Sequence, residues 1–223
     1  MKCKGAIFDM DGVLFDTEKL YQETWRELAR ERHINLGERF VMEISGTNGN
    51  LMKQVVEKYY QVPNGSVVIE ACMERMKKKL EVHVPVKKGV YEILEYFHRL
   101  DMPIAVASSS SSQQIESNLF RSGIRDYFSE IVSGTEVKSG KPSPDIFLLA
   151  AKKIGCKAEE CFVFEDSENG VKAGYSAGCF TIMVPDLIKP RDEIQFICSK
   201  ICTDLLQARD EIEEMLRKGF ITN

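Results

Sequence analysis

Three aspartates, Asp9, Asp11 and Asp16, fall within the stretch AIFDMDGVLFDT (residues 6–17), directly after an apolar run. Carboxylates held close together repel, and carboxylates taken out of water must be paired or neutralised. The stretch carries no cation of its own, so the balancing charge must come from elsewhere in the chain or from solution. A second acidic pair, Glu165–Asp166, also ends an apolar run, CFVFED (161–166). Ser108 ends a third, MPIAVASS (102–109), and Lys141 stands in the loop SGKPSPD (139–145) just before a helical pattern. Carboxylates, a hydroxyl and an ammonium at element ends are the groups from which nucleophilic, acid–base and oxygen-ligated metal sites are made.

The elements that would position these groups can be read from periodicity. KGAIFDM is expected to be a short buried strand. Tyr21, Trp25, Leu28 and Ala29 then recur at helical spacing, with Asp16 or Thr17 as N-cap. Helical patterning continues to about residue 82, broken at SGTNGN (45–50) and VPNGS (62–66). From residue 90 onward helices and strands alternate: helices at 90–100, 112–124, 143–155, 167–178 and about 204–217, strands at 102–109, 129–134, 161–166 and 179–184. Ser143 is expected to cap the third of these helices, with Pro144 at its first position. Such alternation implies a parallel sheet with helices on both faces. The helical block 17–85 interrupts it after the first strand and reads as an inserted domain, with 1–16 and 86–223 forming the α/β core. Ligands of open parallel sheets bind at the carboxyl ends of the strands, which is where the candidate groups collect.

Composition narrows the function classes. The 223 residues are 43% hydrophobic and 29% charged, with a net charge of −4. This is an ordinary globular balance and gives no global electrostatic case for nucleic acid or an anionic membrane. No segment approaches the roughly 18 uninterrupted apolar residues of a membrane helix. The apolar stretch near the start is too short for a signal peptide, so a cytoplasmic protein is expected, and a monomer. The seven cysteines, Cys3, Cys72, Cys156, Cys161, Cys179, Cys198 and Cys202, form no C-x-x-C pair. They are expected to be reduced core residues, although Cys198 and Cys202 would share a face if their stretch were helical.

The polar strand ends together resemble a known family. DMDGVLFDT resembles the first motif of the haloacid dehalogenase-like hydrolase superfamily, VASSSS its second, GKPSPDIF its third and VFEDSENGV its fourth. The resemblance implies a Rossmann-like doubly wound α/β core with an inserted α-helical cap domain. Within the superfamily the chain is most similar to the branch that holds β-phosphoglucomutases and many small sugar-phosphate phosphatases. It implies Asp9 as nucleophile, forming an aspartyl-phosphate, and Asp11 as the acid that protonates the leaving group and then deprotonates the attacking water. Gly12 would permit the tight bend whose N–H groups nest phosphate oxygens. Ser108, with Ser109 beside it, would donate to the phosphate, and Lys141 would offset charge on nucleophile and phosphoryl group.

Charge counting adds a metal. With Asp9, Glu165 and Asp166 ionised and Asp11 protonated, the pocket would hold three negative charges. Two unit charges about 4 Å apart interact by roughly 4 kcal/mol at an effective dielectric near 20, so a phosphate dianion would not enter unaided. A divalent cation together with Lys141 cancels the pocket, and all-oxygen donors favour Mg²⁺ over Zn²⁺. The resemblance places Asp9, the Asp11 carbonyl and Asp166 around the ion, with Glu165 helping directly or through water.

The plainer readings are weaker for most of these residues. Loop or capping roles would suffice for Asp9 and Asp11 alone but not beside Asp166; Asp16 is better read as a cap, and His33, His83 and His98 as surface or helix residues. A Mg²⁺-dependent phosphatase of a small phosphorylated metabolite, such as a sugar phosphate, is therefore expected. The runner-up is a β-phosphoglucomutase-type mutase. Those enzymes typically carry a histidine where this chain has Tyr21, and a cap-loop arginine where it has Asn48 and Gly49, although Lys77–Lys79 would be a substitute cation source. A dehalogenase would need neither Asp11 nor the Glu165–Asp166 pair. An inactive metabolite-binding module would be expected to lack Asp9 or Asp11.

Overall fold

The computed structural model describes residues 2–45, 47, 49–186 and 190–222. Its contacts divide the chain into two compact units, one made of residues 1–16 and 85–223, the other of 17–84.

The larger unit begins with β1 (Gly5–Phe8). After the helical unit it continues through α5 (Val90–Arg99), β2 (Ile104–Ser108), α6 (Ser112–Arg121), β3 (Glu130–Ser133), α7 (Asp145–Lys153), β4 (Cys161–Glu165), α8 (Glu168–Ser176), β5 (Phe180–Met183), α9 (Asp192–Ile197), β6 (Lys200–Ile201) and α10 (Leu205–Arg217). The six strands lie in the order β3-β2-β1-β4-β5-β6, all parallel. Strands β1, β2 and β4 are buried along their whole length, which is why they read as continuous apolar runs rather than alternations. One face carries an aromatic cluster in which Phe8 stacks on its register partner Phe164 at 4.4 Å and meets Phe97 and Phe128 edge-on. The other buries Ile7, Ala105, Ala107 and Val163 with Ile146 and Phe147 of α7.

The order matters for chemistry. From β1 the chain steps outward to β2 and β3, then crosses back to β4 on the other side of β1. The strand order reverses between β1 and β4, so a crevice opens at their carboxyl ends.

The helical unit comprises α1 (Thr17–Arg30), α2 (Glu38–Ile44), α3 (Gly49–Tyr60) and α4 (Ser66–Val82). Trp25, Phe40 and Tyr60 fill its centre edge to face, and the Tyr60 hydroxyl donates to the Trp25 carbonyl at 2.6 Å. The unit ends one residue short of the expected boundary. Pro85 groups with the α/β unit because its carbonyl accepts from the Asp16 N–H at 2.9 Å and Val86 bridges Phe15, so outgoing and returning chain pair.

Other expectations need correcting. Ser143 does not cap α7: the helix starts at Asp145 behind Pro144, and the Ser143 hydroxyl donates to the Asp145 carboxylate at 2.7 Å. Cys198 and Cys202 share no helix face, because the chain leaves α9 at Cys198 and runs through β6. The structure also forms α9 and β6, elements too short to show a period in the sequence. All seven thiols are free, and burial pushes those of Cys3 and Cys202 up to about 11. Among the described residues no helix is long and apolar enough to cross a membrane.

Phe8 is wholly buried in the sheet's aromatic cluster. Phe8→Ala is expected to cost about 3–5 kcal/mol, read as a lower midpoint in urea unfolding.

Candidate active site

Asp9 follows β1 directly, and its N–H donates to the Phe164 carbonyl of β4 at 2.9 Å, so the first carboxylate is pinned to the neighbouring strand. The chain then folds back tightly: the Leu14 and Phe15 N–H groups both donate to the Met10 carbonyl, and that of Gly12 to the Phe15 carbonyl. Gly12 has φ +87, and the Asp166 carboxylate lies where a Cβ on it would stand. Glycine is needed here twice over, for the left-handed backbone and for the close approach of a side chain from the β4 loop.

Lys141 reaches into this crevice from the loop before α7. Its ammonium donates to Asp9 Oδ1 and Glu165 Oε1, and more weakly to the Ala107 carbonyl at 3.4 Å. Glu165, 1% exposed, is used on both sides: Oε2 accepts from the Asp166 N–H, the Ser167 N–H and the Ser167 hydroxyl, each at 3.0 Å. Ser167 caps α8 by accepting from the Gly170 N–H at 3.1 Å. A Cβ on Gly170 would overlap the Glu165 carboxylate, so a side chain there would displace it.

The serine run resolves by position. Ser108 is buried at the end of β2 and its Oγ accepts from the Ser110 N–H at 3.1 Å, leaving its proton available. Ser109 is exposed, and its backbone packs against Gly134. The Ser110 hydroxyl donates to Asp11 Oδ2 at 3.2 Å. The structure thus brings Asp9, Asp11, Gly12, Ser108, Lys141, Glu165 and Asp166 to one edge of the sheet. Sequence reasoning missed Ser110 and Ser167, which tie these groups in place; a polar residue one or two positions beyond a strand end was the available signal.

The charges do not balance. Burial pushes the Asp9 carboxyl up to about 7; Lys141 pulls it down, while Glu165 and Asp11 raise it further. Burial also lifts Asp166 well above the carboxylate range, assisted by Glu165 and Asp9. Burial disfavours the charged form of Lys141, but Asp9 and Glu165 outweigh it and hold the ammonium protonated. One ammonium faces three carboxylates, and the shortfall is positive charge. Among the described residues no group of three or more His, Cys, Asp or Glu side chains is arranged as a metal site. The Asp9 and Asp166 carboxylates lie close enough for Asp9 to raise the proton affinity of Asp166, and oxygen donors of this kind suit a hard cation retaining part of its water.

Residues 6–184 match the model of the haloacid dehalogenase-like hydrolase family. The chain belongs to that family. A phosphorylated carbohydrates phosphatase of Thermotoga maritima is 32% identical over 185 residues, covering 78% of this chain and 82% of the relative. The structure of a family hydrolase from Deinococcus radiodurans, with bound phosphate and sodium, superposes with a TM-score of 0.80 at 23% identity, covering 99% of this chain and 98% of that one. The β-phosphoglucomutase of Clostridium difficile superposes at 0.73 with 23% identity over 98% and 99% of the two chains, which shows a shared fold. The chain is a phosphoester hydrolase of this family.

A carboxyl whose folded pKa lies above its unfolded value binds more protons when folded, so its contribution to stability falls as pH rises from the unfolded to the folded value. For Asp9 that window runs from about 4 to about 7. In metal-free protein, stability is expected to decline across it by up to a few kcal/mol, and Asp9→Asn to flatten the decline. Urea unfolding at stepped pH in chelator reads both; parallel curves for the two proteins would refute the assignment.

Proposed function

We propose that this protein is a Mg²⁺-dependent phosphatase of a small phosphorylated metabolite, with sugar phosphates the leading class. The observation that carries the reading is the convergence of Asp9 and Asp166 from adjacent strands at the point where the sheet order reverses, with Lys141 bridging Asp9 to Glu165. The raised proton affinities of Asp9 and Asp166 support a cation there, since a site built for one carries excess negative charge without it. The Asp9 carboxylate, the Asp11 carbonyl and the Asp166 carboxylate would hold it. When bound, Mg²⁺ offsets charge on the phosphoryl oxygens and keeps Asp9 ionised at neutral pH.

The protein's own groups then divide the work. Asp9 attacks phosphorus, and the ester P–O bond breaks as Asp11 gives its proton to the leaving oxygen. Water next attacks the phosphoaspartate, Asp11 takes its proton, and the bond to Asp9 breaks to release phosphate. Ser110 orients Asp11 for both transfers. Ser108, whose oxygen is already engaged by the Ser110 N–H, has its proton free to donate to a phosphate oxygen. Gly12, whose own N–H is taken by the Phe15 carbonyl, permits the tight turn beside the cradle, Ser109 would contribute its N–H, and Lys141 offsets charge as phosphorus is attacked. Glu165 is better assigned to positioning Lys141 and the Asp166 turn than to the ion, because both of its oxygens are taken. The helical unit would act as the cap that selects substrate and excludes bulk water.

The mutase reading has less support. Tyr21 stands where mutases typically carry histidine. Asn48 lies outside the described residues, and Gly49 opens α3. Of the basic stretch offered as a substitute, Lys78 is paired with Glu74 and Lys79 with Glu27, both at 2.8 Å. A cytoplasmic, monomeric enzyme remains the expected form.

Phosphate release should be screened across sugar phosphates, nucleotides and phosphoglycolate, with and without chelator. Chelator and Asp9→Asn are each expected to reduce release at least about 10³-fold. Release untouched by Asp9→Asn would refute the nucleophile. Conversion of β-glucose 1-phosphate to the 6-phosphate without release would establish the mutase instead.

A further inference from the structure

We infer that Asp186, held in place by Lys87, is a positioning residue for the cation of this site: an outer carboxylate that steadies Asp166 and the ion beside it. The inference rests on the function proposed above.

Neither residue belongs to a recognised motif, and three observations single them out. First, Lys87 ties two loops of the sheet edge together. Its N–H donates to the Leu14 carbonyl at 2.9 Å, within the turn that presents Asp9 and Asp11, and its ammonium donates to Asp186 Oδ1 at 2.7 Å. Second, β4 and β5 pair up to Glu165 and Met183, and the pairing extends one step further through the Val184 N–H and the Glu165 carbonyl at 2.7 Å. The chain carrying Asp186 therefore leaves the sheet alongside the chain carrying Asp166.

Third, Asp186 Oδ2 is buried and has no hydrogen-bond partner among the described residues. The Lys87 and Asp186 side chains are 18% and 11% exposed, so this is not a solvated surface pair. A buried carboxylate oxygen without a donor is costly, and native structures normally supply one. Lys87 is spent on Oδ1 and Lys141 on Asp9 and Glu165. The species that would bring donors to this edge is a hydrated divalent cation, since Mg²⁺ keeps several of its waters and outer carboxylates commonly engage them. Lys87 in turn compensates the added negative charge, so Asp186 provides an acceptor without deepening the imbalance by a full unit.

Calorimetric titration of MgCl₂ into the metal-free full chain tests this, with circular dichroism and the metal-free melting temperature as folding controls. Asp186→Asn and Lys87→Met are each expected to weaken Mg²⁺ binding about 10-fold. Asp186→Glu should recover most of the loss. Asp186→Asn that binds Mg²⁺ within about twofold of wild type, or a variant whose only change is a lower melting temperature, would overturn the inference. Asp166→Asn serves as the reference. Wild-type protein that takes up no Mg²⁺, or Asp166→Asn that binds like wild type, would overturn the proposed ligand set and this inference with it; failure at Asp186 alone would leave the proposed function intact.

Discussion

The ammonium of Lys141, buried between Asp9 and Glu165, is the interaction on which the site depends. A buried ion pair is maintained only where geometry and further hydrogen bonds offset desolvation, and removing one partner leaves an uncompensated charge. Here the offset comes from several directions. Glu165 is satisfied on its other oxygen by the head of α8, and Asp9 is fixed by its backbone to β4. The ammonium also lies over the Phe147 ring of α7, 5.0 Å from its centre. The candidate catalytic groups are held by the same contacts that close the sheet's carboxyl edge.

Topology makes the constraint possible. Only where β1 and β4 lie side by side can acids separated by more than 150 residues in sequence share one crevice. Two glycines then set how closely they approach. Gly12 admits the Asp166 carboxylate and Gly170 that of Glu165, each into volume that any side chain would fill. The resulting density of negative charge exceeds what one lysine can neutralise. That excess is what the proposed cation would offset.

Much of this architecture was legible in the chain. Buried parallel strands read as unbroken apolar runs, so β1, β2, β4 and β5 stood out, as did the helices with a wide apolar stripe such as α5. The short α9 and β6 were invisible, because six and two residues are too few to establish a period. Ser-Pro is an ordinary helix opening, but here the Ser143 hydroxyl bonds the Asp145 side chain rather than a backbone N–H, a choice the dipeptide does not reveal. In the serine run Ser108 and Ser110 have different partners, which composition cannot distinguish.

The sequence by itself determined which groups are present and where each stands relative to its own strand: Asp9 after β1, Ser108 at the end of β2, and Glu165 with Asp166 at the end of β4. These are local facts, dictated by periodicity and by the penalty for burying unpaired charge. Only the tertiary structure decided how those groups are shared. It committed Glu165 to Lys141 and the α8 head, gave Asp11 to Ser110, and set Asp186 and Lys87 beside the acidic turn. Such pairings depend on distances between loops far apart in the chain, and a one-dimensional pattern carries no information about which oxygen a given ammonium will reach.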